Sequence, residues 1–155
     1  GTYRNSIGDA YSVQAINLCR QVFSEGDMMM NKNREKLMVA SYLGGCAIAT
    51  SYVGVVHPFS AGLSVVLGLH HCLANCIAMT AMEPFYPEGY AEDSTFLENN
   101  DIKIPRDVCS HLNDAGHRAL YESTMVHEKP LTNALGEKFR KTLTPDRVRE
   151  IFEAM

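Results

Sequence analysis

Residues 37–82 contain no aspartate, glutamate, lysine or arginine, so 46 consecutive positions carry no full charge. Within this uncharged run, the apolar segments 37–56 and 61–82 approach the roughly 20 residues that a membrane-spanning helix needs. The second segment places His70, His71 and Asn75 where the centre of the bilayer would lie, and polar side chains are expensive there. The run therefore predicts two helices enclosed by others and no membrane partner. Enclosure on all sides predicts full burial of Leu43, Ile48, Val65, Leu67 and Leu73.

Charge and composition exclude two other classes of protein. Lys and Arg number 14 against 18 Asp and Glu, so the chain has no basic excess for a phosphate backbone, and we expect no nucleic-acid partner. Hydrophobic residues make up 46% of the 155 residues, which is typical of one folded domain. The five cysteines are odd in number and lack the spacing of a disulfide framework, which favours the reducing cytoplasm.

Helical spacing of apolar residues extends beyond the uncharged run. It is present over residues 9–23, and asparagines at 31–33 are suitable caps for a second helix that continues past Ile48. A third helix begins at Ser60 and extends to the end of the uncharged run. Residues 83–89 hold two prolines and a glycine, which predicts a loop.

The C-terminal part repeats the helical pattern in shorter segments. Two such segments lie near 108–112 and 120–125, and Thr144-Pro145-Asp146 is a typical helix start, followed by apolar residues on one face. No segment alternates polar and apolar residues over strand length, and no glycine-rich phosphate loop follows a strand. The sequence predicts an all-α chain of five to eight helices without a nucleotide-binding fold of its own.

The densest polar cluster within apolar sequence is Gly68-Leu69-His70-His71-Cys72-Leu73-Ala74-Asn75-Cys76. Three interpretations compete. The histidines could be buried and satisfied by local hydrogen bonds, with the cysteines acting as small hydrophobic residues. One histidine and both cysteines could form a structural zinc site, or this helix could supply one histidine to an open metal site completed from elsewhere.

Several segments resemble the C-terminal helical domain of the iron-containing, or group III metal-dependent, alcohol dehydrogenases, whose fold is similar to that of dehydroquinate synthase. The similarity lies in segments 39–54, 57–71 and 127–136, and it includes the glycines of Ala40-Ser41-Tyr42-Leu43-Gly44-Gly45 and the Leu67-Gly68-Leu69-His70-His71 element. These segments are similar to the bacterial branch of the family that oxidises C8 of 3-deoxy-D-manno-octulosonate to an aldehyde, a step of lipopolysaccharide biosynthesis.

The resemblance implies a metal-dependent oxidoreductase that acts on a primary alcohol or sugar acid. The family's Gly-Leu-x-His element supplies one metal ligand, which falls on His71, and imidazole suits either Fe(II) or Zn(II). The family also has an N-terminal dinucleotide-binding half and an upstream Asp-x-x-x-His element with two further ligands. Residues 1–155 contain no such half and no Asp-x-x-x-His element at the family position, which precedes the helix that begins near Tyr3. We therefore expect this chain to be the C-terminal helical domain, with NAD(P) bound through the N-terminal half of the same enzyme.

Other departures from the family affect the remaining ligands. The family's Pro-His-Gly ligand, about fourteen residues after the first histidine, would fall at Glu83-Pro84-Phe85, which has no histidine. His57 and His127 are the candidates to replace it. Asn75 stands where the family has a second histidine, and Lys129 beside His127 is a candidate contact for a sugar-acid carboxylate. With one matched ligand, the isolated chain is expected to bind metal weakly.

His111 and His117 are interpreted as surface histidines, and the enzyme is expected to be a homo-oligomer that acts on a small molecule. The alternative to an enzyme is a non-catalytic helical module for interaction or oligomerisation, with the apolar segment 61–82 as its assembly surface.

Overall fold

The computed structural model describes residues 2–155 and is helical throughout, with nine helices and no strand in that range. This confirms the all-α fold class, although one more helix forms than the largest number predicted. The helices are α1 (Ser6–Glu25), α2 (Asn31–Ser51), α3 (Val56–Leu67), α4 (His71–Met79), α5 (Pro87–Asn99), α6 (Asp114–Met125), α7 (Glu128–Leu135), α8 (Phe139–Thr142) and α9 (Pro145–Glu153). The chain divides into two compact units, one ending at Tyr52 and one comprising Val53–Met155.

The first unit is a hairpin of α1 and α2, which pack along each other. The Asn5 side chain caps α1 by accepting a hydrogen bond from the Gly8 amide at 2.9 Å. Gly8 has no room for a side chain, because an added Cβ would lie 2.9 Å from the Ser51 hydroxyl. At the other end of α1, Glu25 pairs with Lys32 at 2.7 Å and with Lys36 at 2.6 Å.

In the second unit, α3 is the central element and packs against α4, α6 and α7. Gly62 allows the close approach of α3 and α6, since an added Cβ would lie 2.9 Å from the Thr124 hydroxyl and 3.2 Å from the Phe152 ring. The Phe59 and Phe152 rings contact each other with centroids 5.0 Å apart. Thr144 caps α9 as predicted, and the apolar face of that helix is buried at Val148, Ile151 and Phe152, as is Met155 after its end.

Several predicted helix boundaries were wrong. The third helix does not run through the uncharged run but ends at Leu67, because Gly68 takes a left-handed conformation with φ of 68° and a new helix begins at His71. Proline at the first position starts α5 inside the predicted loop 83–89. Residues 108–111 form turns rather than a helix, and α7 was not predicted.

The predicted full burial of the large aliphatic residues in the uncharged run was also wrong. Ile48 is 52% exposed, Val65 71% and Leu73 37%, while Leu43 and Leu67 are half-buried. The run avoids charge without being enclosed, since uncharged side chains also occupy much of an ordinary protein surface. Among the described residues, no single helix is long and apolar enough to cross a membrane, although α2 and α3 have the required length and composition when taken together as a bent pair.

Candidate metal centre

Three histidine side chains from three different helices lie close together in the second unit. The His57 and His71 rings have centroids 5.1 Å apart, and the His57 and His127 rings have centroids 5.5 Å apart. Both pairs meet edge to face, with 80° between the ring planes. We call these three side chains the imidazole cluster, and His57 is its central member.

Local sequence places each ring at the start of a helix. His57 lies in the first turn of α3, next to Pro58, and its carbonyl accepts a hydrogen bond from the Ser60 hydroxyl at 2.9 Å. His71 is the first residue of α4. His127 is the N-cap residue of α7 and follows directly after the turn that ends α6.

His70 and His71 have different roles at the start of α4. The His70 ring caps the helix, because its Nδ1 accepts a hydrogen bond from the Cys72 amide at 3.4 Å. The His71 ring instead contacts His57. Both histidines are exposed, so the interpretation of this pair as buried core histidines was wrong.

The surroundings of His57 favour its neutral form. Partial burial lowers the pKa of His57, and the neighbouring His71 and His127 lower it further because a second positive charge nearby is unfavourable. Neutral imidazole has a free lone pair, which is the form that binds metal ions.

The donor chemistry of the cluster fits a metal such as Fe(II) or Zn(II). Two imidazoles bound to one ion through nitrogens at about 2.0–2.1 Å have ring centres about 5 Å apart, so each of the two ring pairs has a compatible spacing. Within residues 2–155, however, no three His, Cys, Asp or Glu side chains converge closely enough to hold a metal ion by themselves. The described part of the chain therefore supplies paired imidazoles rather than a complete three-ligand site.

The same finding bears on the proposed structural zinc site. Cys72 and Cys76 are free and exposed, and among the described residues they form no metal-holding group with a histidine. Partial burial raises the pKa of Cys76, and the nearby Asp93 and Cys72 raise it further, which disfavours the thiolate that zinc requires.

The other predicted site residues lie on the helices that carry the cluster. Asn75 is half-buried on α4, one turn after His71, and Lys129 is exposed in the first turn of α7, two residues after His127. Of the two predicted surface histidines, His111 is exposed but His117 is buried in α6, so that prediction was wrong for His117. His117 lies 3.9 Å from the Glu153 carboxylate.

The helix that follows His127 was not predicted, although the sequence carries signals for it. Glu128 and Pro130 stand in the first turn of α7, and Gly136 follows its last residue with φ of 77°, which together are ordinary signals for a short helix.

A cavity of about 640 Å³ lies elsewhere in this unit, beside α5, lined by residues that include Asp93, Lys103 and Arg106 and none of the imidazole cluster.

Comparison with known proteins points to one family. A sequence profile described as "Fe-containing alcohol dehydrogenase family, C-terminal" matches residues 2–151. Methanol:N,N-dimethyl-4-nitrosoaniline oxidoreductase from Rhodococcus erythropolis is 38% identical over 77 residues, which cover 48% of this chain. The aligned part is 18% of the length of that relative.

Proposed function

Because the chain belongs to the iron-containing alcohol dehydrogenase family, we propose that it is the metal-binding helical part of an oxidoreductase that converts a primary alcohol to an aldehyde. The observation that carries this proposal is the contact between His57 and His71, two imidazoles brought together from separate helices. The R. erythropolis relative supports alcohol oxidation in general, since its name refers to methanol.

The spacing of the two histidines supports a different assignment of ligands from the one made by sequence resemblance. The resemblance placed one ligand at His71 and expected the next about fourteen residues later, where Glu83-Pro84-Phe85 has none. His71 itself lies fourteen residues after His57. We propose that His57 and His71 are this pair of ligands. Under this assignment Glu83-Pro84-Phe85 does not stand at a ligand position, so no ligand is missing there.

When bound, the metal supplies a Lewis acid that lowers the pKa of the alcohol hydroxyl and favours loss of its proton. The residues of this chain have separate tasks. His57, whose neutral form its surroundings favour, and His71 would hold the ion, while His127 packs against His57 and would stabilise the orientation of its ring. Asn75 and Lys129 lie one turn or less beyond cluster residues, and we propose that they contact substrate hydroxyl and carboxylate groups.

The oxidation also needs a hydride acceptor, which the described helices do not supply. We propose NAD(P), bound by the dinucleotide-binding half that the family resemblance implies, as that acceptor. The enzyme is proposed to be a homo-oligomer. Since all five cysteines are free, we propose that it works in a reducing compartment such as the cytoplasm.

As the substrate we propose the sugar acid 3-deoxy-D-manno-octulosonate, which the enzyme would oxidise at C8 in lipopolysaccharide biosynthesis. This finer proposal rests only on the resemblance of segments 39–54, 57–71 and 127–136 to one branch of the family. Methanol and other short primary alcohols are the competing substrates.

The test is aldehyde formation by the complete protein loaded with Fe(II) or Zn(II). Each alcohol is supplied with NAD⁺, NADP⁺ or N,N-dimethyl-4-nitrosoaniline as acceptor, and the aldehyde is trapped as a hydrazone. We expect metal-dependent oxidation of the sugar acid, and oxidation of methanol alone would overturn the finer proposal. A protein that holds no metal and oxidises none of these alcohols would instead be the non-catalytic helical module.

A further inference from the structure

The segment that leads into α3 is held by two side chains from distant parts of the second unit. The Asn133 side chain donates a hydrogen bond from Nδ2 to the Val53 carbonyl at 3.1 Å, and the Val55 amide donates one to the Tyr86 hydroxyl at 3.1 Å. Val55 is the N-cap residue of α3 and provides no side-chain cap. Tertiary hydrogen bonds therefore fix the backbone of residues 53–55, which ends two residues before His57.

Asn133 links this segment to the helix that begins at His127. It is buried on α7, with 6% of its surface exposed, and lies six residues after the N-cap His127. Since a helix rises about 1.5 Å per residue, a rigid element of about 9 Å joins the two residues. One hydrogen bond at the far end of α7 thus constrains the separation of the His57 and His127 rings.

Tyr86 links the same segment to the helix that begins at His71. After α4 ends at Met79, consecutive turns continue to Tyr86, whose amide donates to the Met82 carbonyl at 2.9 Å. Gly54 lets the Tyr86 hydroxyl lie against the backbone, since a Cβ at this position would collide with that oxygen. The hydroxyl therefore fixes the start of α3 relative to the chain that leaves α4.

We propose that Asn133 and Tyr86 are positioning residues that hold His57 against His127 and His71, each through one hydrogen bond to the backbone before α3. The importance of this arrangement for metal binding rests on the proposed function. The arrangement itself is a property of the metal-free chain, so it is testable separately.

The first experiment measures ring proximity in the metal-free chain, whose mass of 17.2 kDa suits NMR spectroscopy. Nuclear Overhauser effects between ring protons report the His57–His127 and His57–His71 contacts. In Asn133→Leu we expect loss of the effect between His57 and His127, and in Tyr86→Phe a weaker effect between His57 and His71. Tyr121→Phe, which alters a half-buried tyrosine on α6, is the matched control and should retain both.

Unchanged ring effects in both variants would overturn the proposal, even if the variants are less stable than the wild type. Tyr86→Phe removes only one oxygen, so it keeps the proposal falsifiable if Asn133→Leu does not fold. A loss of ring effects in Tyr121→Phe as well would also overturn it, since the contacts would then respond to any loss of packing.

The second experiment measures Co²⁺ affinity of the complete protein. Loss of groups that orient metal ligands typically weakens metal binding 10–100-fold, and we expect about 10-fold for Tyr86→Phe and no change for Tyr121→Phe. Wild-type protein that binds no Co²⁺ would count against the proposed function, while the NMR result would still decide the positioning role. Normal Co²⁺ affinity in both variants would show that the two hydrogen bonds do not position ligands.

Discussion

His57 occupies an unusual position for a single residue, because its ring contacts two other imidazoles that stand at the starts of two different helices. Partial burial lowers the pKa of His57 and its two imidazole neighbours lower it further, so His57 favours the neutral form that binds a cation. Proline at position 58 and the Ser60 hydroxyl bond to the His57 carbonyl restrict the backbone at this point. His57 therefore combines a side chain suited to metal binding with a restricted backbone.

The cysteines should react at different rates, because their environments differ strongly. Cys72 is exposed, whereas burial and the nearby Glu153 raise the pKa of Cys109 to about 11. Since the thiolate is the reactive form, iodoacetamide at about pH 8 should modify Cys72 first, Cys76 more slowly and Cys109 only after unfolding. Mass spectrometry of peptides after timed alkylation measures the three rates.

Asp93→Asn is the control for Cys76, whose predicted alkylation rate is intermediate. It removes one of the charges that raise the pKa of Cys76, so alkylation of Cys76 should become faster while that of Cys72 stays the same. Modification of Cys109 in the folded chain at the rate of Cys72 would contradict the structure.

The sequence identifies the histidines of the candidate site but not the contacts between them. The family resemblance pointed to His71 through its Gly-Leu-x-His element, and His57 and His127 were named as candidates to replace the ligand missing at Glu83-Pro84-Phe85. Their mutual contact joins residues 14 and 70 positions apart, which no local spacing predicts. Asn133 and Tyr86 were missed because their hydrogen bonds go to the backbone, which carries no side-chain signal.

At the scale of the elements, the close approach of α3 and α6 depends on Gly62. Replacing glycine by alanine inside a helix normally stabilises it by about 0.5–1 kcal/mol. At Gly62 the new methyl group would press on Thr124 and Phe152, and overpacking of this kind costs about 1–3 kcal/mol. Gly62→Ala should therefore lower the free energy of unfolding measured in urea.

Gly89 in α5 is the matched control in the same unit. Its added methyl group would make only ordinary contacts of 3.8 Å with Met79 and Tyr86, so Gly89→Ala should be neutral or stabilising. Equal effects of the two substitutions would contradict the described packing of α3 against α6.

The junction of α1 and α2 gives a prediction on pH. Hydrogen bonds from Lys32 and Lys36 lower the pKa of Glu25 from 4.5 to about 2. The folded chain then binds fewer protons than the unfolded chain in this interval, so the stabilisation by Glu25 is complete above about pH 4.5 and is lost as the pH falls toward 2. The melting temperatures of wild type and Glu25→Gln should differ at neutral pH and converge in acid.

Added salt should reduce the same difference, because the carboxylate is close to the solvent. Glu35→Gln, on the exposed first part of α2, is the control and should show no such convergence. A difference between wild type and Glu25→Gln that stays constant from neutral pH to about pH 3 would contradict the ion pairs.

Elements were predicted best where a local signal marks their ends. Thr144-Pro145 gave the start of α9, and the missing charge marked the region of α2 to α4 correctly as helical. The break at Gly68 was missed because the apolar pattern continues across it, although glycine there permits the left-handed turn. Burial was overestimated because periodicity shows that a face is uncharged without showing what covers it.

At the scale of the whole molecule, the helical fold and the family assignment agree. The profile match extends over residues 2–151 and so includes both compact units, and the imidazole cluster lies entirely in the second. The helices bring two pairs of imidazoles to a spacing that suits a metal, and in residues 2–155 they do not converge into a three-ligand group. Weak metal binding by the isolated chain, with further ligands supplied from outside the described helices, stays a prediction.

The most direct test of the proposed metal site is the metal content of the complete protein after dialysis, measured for single histidine variants. His57→Ala and His71→Ala should each lose the metal together with alcohol oxidation, while their far-UV circular dichroism stays that of the wild type. His70→Ala, which removes a helix cap, and His111→Ala, at an exposed turn, should keep the metal. Loss of metal in His70→Ala alone, or full metal content in both His57→Ala and His71→Ala, would contradict the proposed site.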